Sequence, residues 1–440
     1  MPRLAPLAES ADTRLTAADK GLPTRAAGLT VREFLGTAPR LGEFWTPLLV
    51  LDRAALEHNA ETIQHWCDER GFELMPHGKT TMAPALWRLQ LDGGATGLTL
   101  ATPGQVRAAR AFGVRSIMLA NALVAPDALA WVAAEHDDPD FEFWSWVDSV
   151  ETVEAMERGL AAASAGRDAA LVRPLAVLVE LGAGGGRTGA RGLDAAIAVA
   201  RRVADSPVLR LAGVAGYEGS LGHDRSSVAV AAVRDYLGDL VELHEAAASL
   251  ADPADGALVV TAGGSAYLDL VADVFAPAIE AGAAGAAGAA HTTRWVLRSG
   301  ASLVHDDGFY RGISPIHGSL TSAMRACARV VSHPEPGLAL LDGGKRDLPY
   351  DEGLPVPLAV SSELGAADRE RPLAGASITA VNDQHAYLRA DAGGALPVAI
   401  GEVVTLGLSH PCTAFDKWRW IPVVEHRGSD LVVDLVRTHF

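Results

Sequence analysis

The sequence predicts an α/β fold class: a (β/α)8 barrel followed by a C-terminal all-β domain. Eight short apolar runs alternate with amphipathic segments over a span close to the ~250 residues usual for such a barrel. The runs lie at 73–76, 97–101, 116–120, 141–147, 175–181, 211–217, 257–261 and 295–297. Past residue 300, Pro and Gly punctuate short apolar strands and helical periodicity is scarce. We therefore assign residues 46–298 to the barrel, 299–440 to the β domain, and the polar segment 1–45 to the β domain as well.

Apolar residues at helical spacing predict the helices between the barrel strands, at 103–112, 126–135, 150–163, 193–203 and 227–250. In the β domain, strands are expected at 330–332, 338–342, 377–381, 386–389, 402–408 and 421–424. Residues 46–52 form a strand that opens the barrel or joins the β domain. A doubly wound sheet competes with the barrel, but no Gly-x-Gly-x-x-Gly follows the first strand. The Ala/Gly tract 281–290 is expected to be a low-complexity loop or a helix extension.

Composition excludes several classes of partner. The formal net charge of −17 argues against a nucleic-acid partner and against docking on an anionic membrane surface. Three cysteines are too few for a disulfide framework, which favours a reducing compartment, the cytoplasm. We expect no signal peptide and no membrane-spanning helix, because the required apolar stretches do not occur in the sequence.

Lys79 is the first candidate for chemistry. It follows the first predicted barrel strand, where catalytic residues of such barrels lie, and it is one of four lysines in the chain. A lysine among apolar groups can have a lowered pKa, and its neutral amine attacks an aldehyde. The alternative is an ordinary solvated lysine.

Two glycine-rich turns follow later barrel strands. The turn at 180–189 carries Arg187, which would bring a fixed cation to the barrel mouth, unless the turn is a flexible loop. In the second turn, Gly263, Gly264 and Ser265 stand between a strand and a helix, so their backbone N–H groups could hold a phosphate. The alternative there is a helix capped by Ser265.

His410 and Cys412 are two residues apart in the β domain, which directs both side chains to one face of an extended segment. Imidazole nitrogen and thiolate sulfur are typical Zn²⁺ ligands. The same spacing also fits a buried cysteine beside a hydrogen-bonded histidine. Softer candidates are Tyr217, Glu218 and His223, which follow the sixth barrel strand with a ring, a carboxylate and an imidazole.

The four segments that carry Lys79, Arg187, residues 263–265 and His410 follow one another along the chain. In that order they resemble the fold type III pyridoxal-phosphate enzymes. Within them the resemblance is to the D-serine dehydratase and D-threonine aldolase group, whose barrel is similar to that of alanine racemase. It runs from about residue 46 to residue 440. The resemblance implies pyridoxal 5'-phosphate (PLP) as cofactor and Lys79 as the catalytic Schiff-base lysine. The residues that it places at the cofactor are Lys79, His77, Arg187, Tyr217, Gly263, Gly264 and Ser265.

His410 and Cys412 match the metal pair of the dehydratases, whereas the aldolases carry His-x-Asp there. The resemblance therefore implies Zn²⁺ on His410 and Cys412, and a lyase that deaminates a small-molecule D-β-hydroxy amino acid. For D-serine the products are pyruvate and ammonia. The family also implies a homodimer.

Two positions depart from the family pattern and loosen the substrate assignment. Thr81 stands where the family commonly has His, and Gln384-His385-Ala386 stands where it often has Glu-His-Gly. Three alternatives stay open: a D-threonine aldolase-type retro-aldol cleavage, an amino-acid racemase, and a non-catalytic PLP-binding protein. A racemase needs a second base on the opposite face, and the non-catalytic proteins tend to be a barrel alone.

Overall fold

The computed structural model describes residues 8–165, 173–283, 291–366, 369–391 and 393–440. The chain divides into two compact units. The first, which we call the β unit, comprises Met1–Ile63, Thr80–Gly93 and Ala301–Phe440. The second, the α/β unit, comprises Gln64–Lys79 and Gly94–Gly300. Among the described helices, none has both the length and the apolar character needed to cross a membrane.

Strands and helices are numbered in chain order over the described residues. The strands are β1 (Leu48–Asp52), β2 (Glu73–Leu74), β3 (Leu98–Leu100), β4 (Ser116–Ala122), β5 (Glu142–Val147), β6 (Leu175–Gly182), β7 (Ala190–Arg191), β8 (Leu209–Gly216), β9 (Leu258–Ala262), β10 (Thr293–Leu297), β11 (Met324–Glu335), β12 (Leu338–Leu341), β13 (Val356–Ser361), β14 (Arg371–Pro372), β15 (Ala376–Val381), β16 (Ala386–Ala390), β17 (Val403–Gly407), β18 (Trp420–Val424) and β19 (Val432–Arg437). The helices are α1 (Ala8–Ala11), α2 (Val31–Leu35), α3 (Arg53–Asp68), α4 (Pro84–Asp92), α5 (Pro103–Ala111), α6 (Pro126–Glu135), α7 (Val150–Ala165), α8 (Leu193–Ala204), α9 (Ser227–Leu250), α10 (Leu268–Ala283), α11 (Phe309–Ile313) and α12 (Pro411–Phe415).

The α/β unit is built on a curled parallel sheet in the order β2-β10-β9-β8-β6-β5-β4-β3, with β7 added beside β6. Each of the eight predicted barrel runs overlaps one of these strands, and each of the five predicted helices is present as α5 to α9. The strands are parallel because a helix or loop returns the chain between successive strands. Large apolar side chains of these strands form a buried cluster, among them Met118, Trp144 and Leu178.

The structure confirms the predicted closed barrel only in part, because the strands curl into a half-barrel. Between the edge strands β2 and β3, an isolated bridge from His77 to Thr99 stands in place of a continued ladder. Strand β2 is two residues long. Pro76 follows it and accepts from the backbone N–H of Thr99 at 2.9 Å, but it has no N–H to return. The ladder therefore stops there.

The β unit contains a mainly antiparallel sheet in the order β14-β13-β17-β11-β1-β18-β19, extended by β12, β15 and β16. Strand β1 pairs antiparallel with β11 and parallel with β18. The strand predicted at 46–52 thus joins the β unit, which is the second of its two expected placements. Its side chains are all buried, and they pack in the main core beside Phe415 and Trp418.

The predicted β-domain strands are confirmed as β11, β12, β15, β16, β17 and β18. Strands β13 and β19 and helix α4 add to the predicted set. Helix α10 continues into the Ala/Gly tract 281–290 and is described as far as Ala283. The remainder of that tract, 284–290, lies outside the described residues.

Candidate active site

Lys79 lies in a single 3-10 turn, Gly78–Thr80, just after β2 in the α/β unit, and it is half-buried. The turn is packed closely against the loop that follows β10. The backbone N–H of His77 donates to the carbonyl of Arg298 at 3.2 Å. A Cβ built on Gly300 would lie 2.6 Å from the His77 carbonyl oxygen, so this approach requires glycine.

Positive charge gathers around His77. Burial, together with the charges of Lys79, Arg298 and Arg187, lowers the pKa of His77 well below its ordinary value. The imidazole is therefore neutral near pH 7. These four side chains belong to the turns after three different strands, and Lys79, Arg187 and Arg298 make this end of the half-barrel cationic.

Arg298, which the sequence analysis missed, is the most deeply buried cation of the site, at 1% exposure. Its guanidinium donates to Thr261 Oγ1 and to the Gly216 carbonyl, both at 2.6 Å, and lies 4.9 Å from the ring centre of Trp146. Burial lowers the pKa of Arg298, while the charge of Glu218 opposes that shift. An arginine directly after an apolar strand was the available signal.

Arg187 is exposed, and its guanidinium carbon lies 4.7 Å from the ring centre of Tyr217. Arg191 shapes the glycine-rich turn by donating to the carbonyls of Ala183 and Gly186 at 2.8 and 3.0 Å. The Tyr217 backbone N–H donates to the Tyr236 hydroxyl at 3.0 Å. The structure thus brings the predicted residues Arg187 and Tyr217 together.

Arg187, Tyr217 and Tyr236 line an open recess of about 220 Å³ that also holds Glu180. Glu180 is 6% exposed and accepts from the Thr188 hydroxyl at 2.9 Å. Burial, with a further contribution from the charge of Asp148, raises the pKa of Glu180 to about 7. Glu180 is therefore a carboxyl group that can gain or lose a proton near neutral pH, and the sequence analysis did not select it.

Gly263, Gly264 and Ser265 form a turn between β9 and α10. Gly263 has φ +90°, and a Cβ there would lie 2.0 Å from Leu297 Cδ2. The Ser265 hydroxyl is 2.7 Å from that of Ser299. The backbone N–H groups of Gly263 and Gly264 both donate to the carboxylate of Glu218, at 2.9 and 2.6 Å.

The side chains of this site fit an anionic, ring-containing cofactor such as PLP. Three buried polar atoms of this site have no hydrogen-bond partner within the described residues: His77 Nδ1, Trp146 Nε1 and Arg298 Nε. Buried polar groups are normally paired, so unpaired ones at one place indicate where a polar ligand binds. The cations suit a phosphate, and the half-buried amine of Lys79 suits an aldehyde.

In the β unit, His410 directly precedes α12 and has φ +73°. Its Nδ1 lies 2.6 Å from the Asp351 carboxylate, and Cys412 Sγ lies 3.5 Å from the Thr80 hydroxyl. Burial opposes the charge of His410, but the hydrogen bond and charge of Cys412, and then those of Asp351, raise the pKa of His410 to about 9. The predicted metal pair therefore lies together.

An imidazole and a thiol in contact are a donor set that fits Zn²⁺. Catalytic zinc sites usually have three protein ligands. Within the described part of the chain, no three His, Cys, Asp or Glu side chains are arranged to hold a metal ion. A metal here would need water or substrate to complete its coordination.

Two family models match the chain. Residues 51–269 match "Alanine racemase, N-terminal domain", and residues 323–424 match "Putative serine dehydratase domain". Among curated proteins, D-threonine aldolase of Arthrobacter sp. is 28% identical over 375 residues, which cover 84% of this chain and 86% of the aldolase.

Solved structures share the fold. D-threonine aldolase from Filomicrobium marinum matches with a TM-score of 0.70 at 23% identity, covering 90% of this chain and 95% of that one. D-threo-3-hydroxyaspartate dehydratase from Delftia sp. HT23 matches with a TM-score of 0.68 at 22% identity, covering 91% and 99%. Structures of a histidine variant and of a cysteine variant of a dehydratase of that name, the latter in the metal-free form, match similarly.

The family matches, the curled parallel sheet and the lysine after its first strand agree with one another. The chain therefore belongs to the fold type III PLP family, with an alanine racemase N-terminal domain and a D-serine dehydratase-like domain.

Proposed function

We propose that this chain is a PLP-dependent lyase that deaminates a D-β-hydroxy amino acid, with D-serine converted to pyruvate and ammonia. The observation that carries the proposal is the position of Lys79 beside His77, in a cationic site with three unpaired buried polar atoms. The related D-threonine aldolase supports the substrate class, because D-threonine is a D-amino acid with a β-hydroxyl group.

When bound, PLP supplies an electron sink for negative charge at the substrate Cα. Lys79 Nζ would take the proton from Cα, which requires it within hydrogen-bond reach on one face of the substrate. A base on one face alone selects one enantiomer. The neutral imidazole of His77 adds no charge beside this amine, while Arg187 and Arg298 supply fixed positive charge for anionic groups.

His410 and Cys412 would hold Zn²⁺, which would supply a Lewis acid for the β-hydroxyl oxygen of the substrate. Hydroxide is a poor leaving group, so this chemistry favours elimination of water. Asp351 would orient His410 through the contact at Nδ1, as carboxylates do for metal-binding histidines. The metal-free cysteine variant of the related dehydratase supports a role for Cys412, since the variant positions in the two dehydratase structures are two residues apart, like His410 and Cys412.

The second candidate is retro-aldol cleavage of the D-threonine type. It is favoured by the match to D-threonine aldolase at 28% identity over most of both chains. That reaction needs a base for the β-hydroxyl proton and breaks the Cα–Cβ bond, giving glycine and an aldehyde. Both reactions begin with a D-β-hydroxy amino acid at the same site, so their products separate them.

The test is product analysis with the PLP-loaded protein, with added zinc or with a chelator. D-serine, D-threonine and D-3-hydroxyaspartate are supplied, each beside its L enantiomer. Dehydration predicts ammonia and a 2-oxo acid in equal amounts from the D substrates. Glycine and aldehyde without ammonia would show an aldolase, and appearance of the opposite enantiomer would show a racemase. Bound PLP without any turnover would show a non-catalytic protein.

A further inference from the structure

The carboxylate of Glu218 occupies the backbone donors of the glycine turn. Glu218 is 0% exposed and follows Tyr217 after the end of β8. One carboxylate oxygen accepts from Gly263 N at 2.9 Å, and the other accepts from Gly264 N at 2.6 Å. A buried carboxylate with two such charge-assisted hydrogen bonds is a strong, directional contact.

This contact changes which groups can hold a phosphate. A phosphate placed on the same two N–H groups would displace Glu218 or meet its negative charge inside the protein, where like charges repel strongly. Ser265 follows Gly264 in the chain, and its hydroxyl lies 2.7 Å from that of Ser299.

The glycine turn is held from two sides. The backbone N–H of Arg298 donates to the Gly263 carbonyl at 3.2 Å, while the carboxylate of Glu218 accepts from the Gly263 N–H. Gly263 is in the left-handed region at φ +90°, so the chain direction at this point depends on these contacts. Glu218 thereby sets the direction in which the chain enters Ser265.

We propose that Glu218 is a positioning residue that orients the turn for the phosphate of PLP without touching it. The inference rests on the proposed function, in which the chain binds PLP. Removing the carboxylate would leave two buried N–H groups unpaired, and the turn would relax. The binding affinity that is lost would be that for the phosphate of PLP and not that for its ring.

The experiment compares PLP with pyridoxal, which lacks the phosphate, on the apo form of the full chain. Dissociation constants are measured by the absorbance change and by tryptophan fluorescence for wild type, Glu218→Gln and Glu218→Ala. We expect PLP affinity to fall about tenfold or more in Glu218→Ala and less in Glu218→Gln, which keeps one acceptor oxygen. Pyridoxal affinity should stay at the wild-type value in both variants.

Asp52→Asn is the matched control, because Asp52 is a buried carboxylate that accepts a backbone N–H, from Ala55 at 3.0 Å, in the β unit. This variant measures how general destabilisation of the protein changes the affinities for PLP and pyridoxal. Thermal melts establish that each variant is folded. If Glu218→Ala does not fold, Glu218→Gln alone decides the question.

Three results would overturn the inference. Tighter PLP binding by Glu218→Gln would make Glu218 an internal competitor of the phosphate. Unchanged PLP affinity in the variants would show that Glu218 does not orient the turn for the phosphate. Equal weakening of PLP and pyridoxal binding would show that Glu218 acts on a part of the site other than the phosphate region. A wild-type chain that binds neither ligand would instead refute the proposed function, and the inference with it.

Discussion

The buried carboxylate of Asp306 accepts a hydrogen bond from the backbone N–H of His410 at 3.0 Å, across 104 residues of chain. Its other oxygen accepts from the N–H groups of Gly308 and Tyr310 at 3.0 and 2.9 Å. Asp306 therefore ties the beginning of α11 to the turn that carries His410. This contact holds one half of the candidate metal pair in a left-handed backbone conformation.

Asp306→Asn should destabilise the protein by about 2 kcal/mol, because an amide group keeps one acceptor and turns a donor toward buried N–H groups. Urea unfolding followed by circular dichroism measures the change. Asp416→Asn is the control, since Asp416 is more exposed and its contact is an ion pair with Lys417 at 3.2 Å. An Asp306→Asn protein as stable as this control would contradict the role given to Asp306.

Lys79→Ala should abolish covalent attachment of PLP and all turnover, because no other amine is expected to replace Lys79 Nζ. Borohydride reduction followed by peptide mass spectrometry locates the modified lysine in the wild type. Lys345→Ala, at an exposed lysine of the β unit, should keep both properties. Attachment at another lysine, or near-normal rates in Lys79→Ala, would refute the assignment.

Gly264→Val should weaken PLP binding about tenfold or more, because overpacking at a close contact typically costs 1–3 kcal/mol. A Cβ at this position would lie 3.0 Å from Tyr217 Cε2 and 3.5 Å from a carboxylate oxygen of Glu218. Titration of the apo protein with PLP measures the effect. Gly238→Ala is the control, since its Cβ meets nothing within 4 Å in α9. Wild-type affinity in Gly264→Val would place the phosphate elsewhere.

Glu180 should make the stability of the apo protein fall as pH rises from about 4.5 to about 7. Its folded-state pKa of about 7 lies above the ordinary carboxyl value, so the folded state binds more protons in this window. Its contribution is present below pH 4.5 and is lost as pH passes 7, and a difference of this size in pKa corresponds to about 3 kcal/mol. Urea unfolding at several pH values should show a shallower decline in Glu180→Gln. Parallel pH curves for the two proteins would contradict this pKa.

Cys412→Ala should reduce ammonia release from D-serine far more than from β-chloro-D-alanine. Chloride leaves readily, whereas hydroxide needs a Lewis acid worth several kcal/mol. Metal analysis of both proteins accompanies the rates, and zinc near one per chain is expected in the wild type. Equal activity of the variant on D-serine, or active wild-type protein without metal, would make His410 and Cys412 a structural pair.

Most local elements and the chain positions of the candidate reactive groups could be predicted from the amino-acid sequence alone. Alternating apolar runs were enough to predict strands β2–β6 and β8–β10 of the α/β unit, since hydrophobic period and turn residues act over a few neighbours. For the same reason Lys79 and the glycine turn at 263–265 could be placed at strand ends. The contact between His410 and Cys412 could be predicted because the two residues are only two positions apart in the chain.

Contacts between residues far apart in the chain depend on the tertiary structure. Strand β1 lies between β11 and β18, a choice that depends on partners hundreds of residues away. Glu218 meets Gly263 across 45 residues, and Arg298 meets Gly216 across 82. No local pattern specifies such pairs, because a buried charge is stable only where the fold supplies its partners. Strand ends could therefore be predicted from the sequence, but the hydrogen bonds that orient them could not.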